Sequence, residues 1–164
     1  MRRNLASIIL FSSILWANVA EAKTQPSLQV TQLPTAQSVS DKVDFLNGVW
    51  EGTYTCSQGL TELRLIIEAK STTDIDVVFL FSAHPSNPNV PSGRFRMEGL
   101  LEVFDSPDIP SMLELKATTW INRPGGYSTV DLLGDVSLSE RRLTGSVYSD
   151  DSICTTFDAL KSEN

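Results

Sequence analysis

The sequence offers few side chains for catalysis. Its single histidine, His84, is the only imidazole available as a base. Nucleophilic catalysis also needs a nucleophile and an orienting group, and the nearby serines, Ser82, Ser86 and Ser92, do not lie in a nucleophile-elbow motif. The pattern favours a structural or exposed His84, and a hydrolase that uses His84 is kept as a third hypothesis.

Two pairs of acidic residues have the chemistry of glycoside hydrolysis, which uses two carboxyl groups. Glu98 and Glu102 fall on the polar face of a predicted strand, and Asp150 and Asp151 fall in a predicted turn, so both pairs are interpreted as solvated charge. One histidine and two cysteines do not suffice for a multi-histidine or cysteine-rich metal site. We therefore predict a protein that is not an enzyme and needs no metal or cofactor.

The charge balance narrows the choice of partners. The 164 residues carry 13 Lys and Arg against 20 Asp and Glu, a net charge of −7. Nucleic acids and anionic lipid surfaces attract clustered Lys and Arg, whereas the basic residues here are scattered. We expect no nucleic-acid partner and no electrostatic attachment to a membrane.

The first residues predict export. A basic start at residues 1–4, an apolar run over 5–19 and the small-x-small sequence Ala20-Glu21-Ala22 are typical of a secretory signal peptide. The apolar run is shorter than the roughly 20 residues that span a bilayer. We expect a periplasmic or secreted protein with a signal peptide at 1–22, a flexible leader at 23–39 and a single, monomeric domain at 40–164.

A short helix precedes the strands. Ser40 is a possible N-cap, and Asn47-Gly48 is a stop signal, which allows one or two helical turns. From Gly48 onward the apolar residues recur with a period of two, as in a sheet with one face on a core and one in water. The inward-facing set of the first four strands is Trp50, Gly52, Tyr54 and Cys56; Leu63, Leu65, Ile67 and Ala69; Ile75, Val77, Phe79 and Phe81; and Phe95, Met97, Gly99, Leu101 and Val103.

Four more strands follow, the first around Leu113 to Trp120 and the others over 127–138, 143–148 and 153–160. Simple alternation places Trp120 on the outer face and Ile153 on the inner face with Phe157. No segment after residue 48 carries a long helical stripe, and short connections favour hairpins. The predicted fold is an all-β, eight-stranded, antiparallel up-and-down barrel, which has no exposed edges; a two-sheet β-sandwich is the alternative.

This barrel predicts a disulfide between Cys56 and Cys154. Cys56 ends the first strand and Cys154 begins the last, and those two strands are neighbours in a closed barrel. An exported compartment permits disulfides, and no C-x-x-C pair suggests thiol exchange. We expect a structural bond with no redox role.

One rim of the barrel collects the unusual loops. Alternate connections of a meander share an end, which groups residues 57–60, 84–92, 121–126 and 149–152 with the disulfide. The 84–92 loop has three prolines and is conformationally restricted, which lowers the entropy lost on binding. The same residues also suit ordinary turns and core packing. The candidate binding residues are Gln58, His84, Asn87, Asn89, Trp120, Arg123 and Tyr127.

Several stretches resemble known proteins. Gly48-Val49-Trp50 resembles the opening of lipocalins and avidin-like barrels, which implies that Trp50 plugs one end of the barrel. The stretch over 54–59, Tyr-Thr-Cys-Ser-Gln-Gly, is similar to the start of the periplasmic C-type lysozyme inhibitors, which are also small disulfide-linked barrels. A wider set of motifs resembles an exported bacterial module without an established activity, and it covers residues 50–61, 86–99, 120–127, 143–145 and 154–157.

These observations predict a non-catalytic binding protein of the bacterial envelope. Its working surface is the rim that carries the candidate residues, and its partner is a protein or a glycan. The alternatives are a lipocalin-like carrier of a small apolar ligand and a lysozyme inhibitor. The carrier requires a hollow interior, whereas large side chains such as Phe79 and Phe95 have the volume to fill an eight-stranded barrel.

Overall fold

The computed structural model describes residues 38–104 and 109–163. The predicted signal peptide, residues 23–37 of the predicted leader, residues 105–108 and Asn164 lie outside the described residues. No helix in the described ranges is both long and apolar enough to cross a membrane.

The described chain is one helix followed by eight strands. Each strand pairs antiparallel with the next, and the first pairs with the last, so the sheet closes into an up-and-down barrel rather than a sandwich. The elements are α1 (Val39–Leu46), β1 (Gly48–Cys56), β2 (Gly59–Ala69), β3 (Ile75–Ala83), β4 (Gly93–Glu102), β5 (Ser111–Asn122), β6 (Asp131–Ser137), β7 (Arg142–Tyr148) and β8 (Cys154–Lys161).

The barrel interior is filled by the alternating apolar residues that the sequence pattern selected. Phe79 and Phe95 stack with their ring centroids 4.5 Å apart, and Leu65 and Leu115 are fully buried. Burying a large apolar side chain contributes roughly 1.5–3 kcal/mol, and eight strands enclose just enough space for such side chains. The interior is therefore a packed core.

Helix α1 covers one end of the barrel, which we call the closed end. It begins after Ser38, whose hydroxyl accepts the Asp41 amide hydrogen while the Asp41 carboxylate accepts the Ser38 amide hydrogen. Such a reciprocal capping box fixes the first turn. The predicted N-cap at Ser40 is therefore wrong by two residues, because Ser38 and Asp41 satisfy each other at the correct spacing.

Trp50 seals the closed end from inside. Its indole nitrogen donates a hydrogen bond to the Leu46 carbonyl at 2.9 Å, and its ring packs edge-on against Phe45. The Lys161 ammonium lies over both rings and donates to the Phe45 carbonyl. Burial lowers the pKa of Lys161, and the positive charge of Arg141 adds to that effect.

A β-bulge in β5 turns Trp120 inward. Phe95 pairs with Trp120 and Met97 pairs with Ala117, so β5 carries one more residue than β4 over this stretch. The Asp131 carboxylate accepts the Ala117 amide hydrogen at 2.8 Å. The prediction that Trp120 faces outward is wrong, because the extra residue reverses the alternation and packs its ring against Phe95, 5.1 Å between centroids.

A second irregularity, in β8, corrects the prediction for Ile153. Tyr54 pairs with Phe157 and Cys56 pairs with Cys154, so β8 also gains one residue. Ile153 consequently lies outside the barrel and is 82% exposed. The Cys56–Cys154 disulfide itself is present, as predicted.

Candidate functional site

The end opposite α1 carries four connections, over 57–58, 84–92, 123–130 and 149–153, and we call it the open rim. The up-and-down topology brings these segments together, as the sequence predicts, because they are alternate connections of one meander. The predicted sixth strand is shorter than expected, since β6 begins at Asp131 and residues 127–130 belong to the open rim. There Tyr127 lies flat on Phe81, with ring centroids 5.6 Å apart.

A small polar cavity opens at this rim above the packed core. Its volume is about 140 Å³, and we call it the mouth cavity. The 57–58 turn, the 123–130 loop and the 149–153 loop surround it. The lining residues are Tyr54, Ser57, Gln58, Gly126, Tyr127, Ser128, Val130, Ser149, Asp151 and Ser152.

Gln58 organises the floor of the mouth cavity. Its amide nitrogen donates to the Tyr54 hydroxyl at 3.2 Å and to the Thr61 hydroxyl at 3.3 Å. Thr61 is fully buried and donates in turn to the Gly59 carbonyl at 3.1 Å. The Gln58 amide oxygen is left as the acceptor that this side chain offers to the cavity.

Tyr54 is held in its neutral form. The side chain is only 4% exposed, and this burial is the main reason why the pKa of Tyr54 is raised above its usual range. The neighbouring Tyr127 adds to the upward shift of that pKa. Tyr54 therefore presents a neutral hydroxyl, which can donate or accept a hydrogen bond.

The opposite wall of the mouth cavity carries a carboxylate. Ser128 donates to one oxygen of Asp151 at 2.8 Å, and the Ser57 and Ser152 hydroxyls hydrogen bond across the gap between their loops. The nearby disulfide joins those same two loops. The wall is thus fixed covalently and by hydrogen bonds.

Two of the seven predicted binding residues, Gln58 and Tyr127, line the mouth cavity. Asn87 instead clamps the 57–58 turn, since its amide donates to the Gln58 carbonyl at 2.6 Å and to the Leu60 carbonyl at 3.1 Å. Asn89 is exposed on the 84–92 loop, away from the cavity lining.

Trp120 and Arg123 support the rim from beside the cavity. Arg123 donates to the Tyr127 carbonyl at 2.9 Å, and its guanidinium lies 5.8 Å from the Trp120 ring centroid. Trp120 packs on Phe81 and Phe95. These contacts hold the 123–130 loop, whereas neither side chain lines the mouth cavity.

His84 lies in a local turn. Its Nδ1 accepts the Ser86 amide hydrogen at 3.1 Å and lies 2.7 Å from the Ser86 hydroxyl oxygen. Its Nε2 is 3.9 Å from a Glu62 oxygen, beyond hydrogen-bond distance. Both contacts of Nδ1 are with Ser86, two residues along the chain, so they stabilise the turn.

The polar cavity residues missed from sequence are Tyr54 and the small polar side chains of three connections. Tyr54 was placed correctly in the interior but not at its mouth. The others are Ser57, Ser128, Ser149, Asp151 and Ser152. One signal was available, since Ser57 and Ser152 flank the paired cysteines and a disulfide brings its flanks together.

A larger concavity of about 430 Å³ lies on the outer wall, and we call it the outer groove. Cross-strand register places Leu80 between Arg64 and Arg94 on its floor. Glu51 and Glu62 also line the groove, and Glu51 approaches Arg64 to 3.5 Å. Its formal charges balance and its walls are long exposed side chains, so the outer groove is less defined chemically than the mouth cavity.

Comparison with family models, with curated proteins and with solved structures finds no match to this chain. The resemblances to lipocalins, to the exported module and to lysozyme inhibitors therefore stay predictions. Within residues 38–104 and 109–163, no group of three or more His, Cys, Asp or Glu side chains is arranged to hold a metal ion.

Proposed function

We propose that this protein is an exported, non-catalytic binding protein of the bacterial envelope that recognises a protein or glycan partner through its open rim. The observation that carries the proposal is the mouth cavity, a polar concavity of about 140 Å³ between loops that a disulfide joins. Ligand sites are typically concavities with a few convergent polar groups.

Pre-organisation supports a binding role for the open rim. Asn87 and Gln58 fix the 57–58 turn, and three prolines restrict the 84–92 loop. Side chains and loops that are ordered before binding lose less entropy when a partner arrives. The rim has the polar groups of a recognition surface already in place.

The size of the mouth cavity favours a large partner that inserts one small group. Sites for whole small molecules have volumes of roughly 300–1,000 Å³, and the mouth cavity is smaller than that range. A side chain of a protein or a terminal substituent of a glycan has the appropriate size. The rest of the partner then rests on the surrounding loops.

The lipocalin-like carrier has less support. The core residues Phe79, Phe95 and Leu115 fill the barrel where such a ligand would lie. A carrier purified from its own exported fraction should retain an apolar molecule in native mass spectrometry. An empty protein with an intact disulfide would favour recognition at the rim.

The lysozyme-inhibitor hypothesis is a concrete case of the proposed function. The stretch over 54–59 that carries this resemblance borders the mouth cavity, and Asp150 and Asp151 make that rim suitable for a basic protein. Inhibition should appear as a stoichiometric loss of muramidase activity. No inhibition over a panel of lysozymes would remove this case and leave the broader proposal standing.

Export is part of the proposal, supported by the predicted signal peptide and by a disulfide of the kind formed in oxidising compartments. Cell fractionation followed by mass spectrometry tests it. The mature chain should begin at Lys23 and be found outside the cytoplasm. An unprocessed chain in the cytoplasm would contradict export.

Photo-cross-linking in the producing bacterium tests the rim itself. A photoreactive residue at the exposed position Asn89 on the open rim should capture one partner, and a matched probe at exposed Glu68 on the outer wall should not. The Asn89 product should be lost with Gln58→Ala, which removes the organiser of the cavity floor. Equal capture at both positions, or capture indifferent to Gln58→Ala, would refute recognition through the open rim.

A further inference from the structure

We infer that the mouth cavity receives a cationic group, an alkylammonium or a guanidinium, from its partner. The inference rests on the proposed function and specifies the chemistry recognised at the same site. Asp151 is the only lining residue with a formal charge at neutral pH. A cavity with one carboxylate and no cation of its own is electrostatically complementary to a donor-rich cation.

The hydrogen-bonding groups around the mouth cavity point to the same ligand. One oxygen of Asp151 accepts the Ser128 hydrogen, and the Gln58 amide nitrogen donates to Tyr54 and Thr61, which leaves the Gln58 amide oxygen as an acceptor. The hydroxyls of Ser57 and Ser152 bring further lone pairs. An ammonium carries three donors and a guanidinium five, and neither carries an acceptor.

The nearest basic side chain of the rim is held away from this site. Arg123 donates to the Tyr127 carbonyl and lies over Trp120, and it is not among the residues that line the cavity. No ion pair to Asp151 is formed within the part of the chain that the structure describes. The Asp151 charge is therefore available to a partner.

The mouth cavity combines a buried lining with an exposed carboxylate. Tyr54 and Val130 are buried parts of the lining, whereas Asp151 is exposed. A charge-assisted hydrogen bond to Asp151 is stronger than one between neutral groups. Tyr54 stays neutral and adds a hydroxyl acceptor without a competing positive charge.

The shared chemistry has two sources, a basic side chain of a protein and a free polyamine, and the experiment separates them. The complete mature protein is titrated with a lysine-containing tripeptide blocked at both ends, with the same peptide carrying norleucine, and with spermidine. NMR chemical shifts of Tyr54 and Gln58 report occupancy of the mouth. We expect binding of the lysine peptide and no binding of its norleucine counterpart. Tighter binding of spermidine than of the peptide would assign the site to a free polyamine.

Asp151→Asn keeps an acceptor for Ser128 and removes the charge. It should weaken binding of the cation about tenfold, the loss expected for one charge-assisted hydrogen bond. Asp150→Asn is the matched control, because it removes the same charge from the adjacent residue, which is also exposed but does not line the cavity. The affinity of that variant should stay within about twofold of the original, since solvent screens a charge outside the lining from the bound cation.

Three results would overturn the cationic assignment. The first is equal affinity for the lysine and norleucine peptides, and the second is binding that Asp151→Asn leaves unchanged. The third is a neutral sugar that shifts the Tyr54 and Gln58 resonances where both cations fail. Each of these leaves recognition through the open rim intact, because that proposal fails only in the cross-linking experiment, by equal capture at Asn89 and Glu68 or by capture indifferent to Gln58→Ala.

Discussion

The two ends of this barrel differ in polarity and packing. At the closed end, α1, Trp50 and Lys161 leave a packed plug in which the charged ammonium is bonded to the Phe45 carbonyl. At the open rim, the loops leave a polar cavity in which one oxygen of Asp151 accepts the Ser128 hydroxyl hydrogen and the other has no partner among the described residues. The strand topology is the same at both ends, so the difference in polarity and packing comes from the segments that connect the strands. The closed end is therefore apolar and packed, and the open rim is polar and concave.

The sharpest way to break this contrast is to remove the plug. Trp50→Ala should lower the free energy of unfolding by about 3–5 kcal/mol, as for other buried tryptophans, since Trp50 is fully buried. Trp120→Ala should cost less, because Trp120 is partly exposed at the open rim. Urea unfolding of both variants measures the two costs. Equal costs would show that the ends do not differ in the way described.

The disulfide provides the next test. Replacing both Cys56 and Cys154 by serine should destabilise the fold by about 2–4 kcal/mol, because the bond closes a loop with a sequence separation of 98 residues. Hydrogen exchange should rise first in the 57–58 and 149–153 segments, which the bond joins. Protection of α1 should change only as much as global stability does. Preferential loss of protection in α1 would contradict the separation of the two ends.

Two asparagines allow a matched comparison of the ends. Asn47 bonds to both the amide and the carbonyl of Ala69 near the closed end, and Asn87 bonds to two carbonyls at the open rim. Each change to alanine leaves partly buried backbone groups unpaired and should cost about 1–3 kcal/mol. Only Asn87→Ala should weaken ligand binding at the mouth cavity. NMR titration of both variants with the lysine peptide measures this difference in binding. A binding defect in Asn47→Ala would contradict the separation of the two ends.

A smaller loss of stability is expected from disturbing the bulge in β5. Asp131→Ala removes the acceptor of the Ala117 amide hydrogen, which should cost about 1 kcal/mol. The packing of β5 around Trp120 should then loosen. Because the Trp120 ring becomes more hydrated, its fluorescence should shift to the red. Asp135→Ala on the same strand is the control, since Asp135 is exposed. An unchanged Trp120 emission would mean that packing alone holds the bulge.

The smallest expected effect concerns an ion pair on the outer wall. The hydrogen bonds from Arg142 hold the pKa of Asp158 below its ordinary value of 3.8. The unfolded chain therefore takes up the proton first, and the stabilisation is fully present above that value and lost as the pH falls through the folded pKa. Both groups are largely exposed, so the contribution is small. Urea midpoints of the original protein and of Asp158→Asn should converge in acid, and a constant gap would refute this account.

Most of the barrel could be predicted because alternation is a local pattern. Leu63, Leu65 and Ile67 fall on one face for the same reason in the sequence as in the structure, and strand order then pairs Cys56 with Cys154. The errors at Trp120 and Ile153 share one cause. Each arises from an extra residue in a strand. Such a residue cannot be recognised from alternation along one strand, because it shows only in the register with the partner strand.

The candidate site was predicted only in part. Topology grouped the correct loops, and Gln58 and Tyr127 line the cavity. Asn87 and His84 proved to hold turns, because polar loop side chains bond to the nearest backbone groups more often than to a ligand. Asp151 was interpreted as solvated charge and is exposed, but its place in the cavity lining and its hydrogen bond from Ser128, 23 residues away in sequence, were not predicted.

The position of the disulfide has a mechanical consequence. β1 begins and β8 ends at the closed end. Tension applied through the two termini therefore breaks the hydrogen bonds of this strand pair one after another, starting at the closed end. The separation stops at Cys56 and Cys154, where the covalent bond carries the load. Once β1 and β8 are extended, the load runs along them and through the bond, so the segment between Cys56 and Cys154 lies outside the load path for as long as that bond stays oxidised.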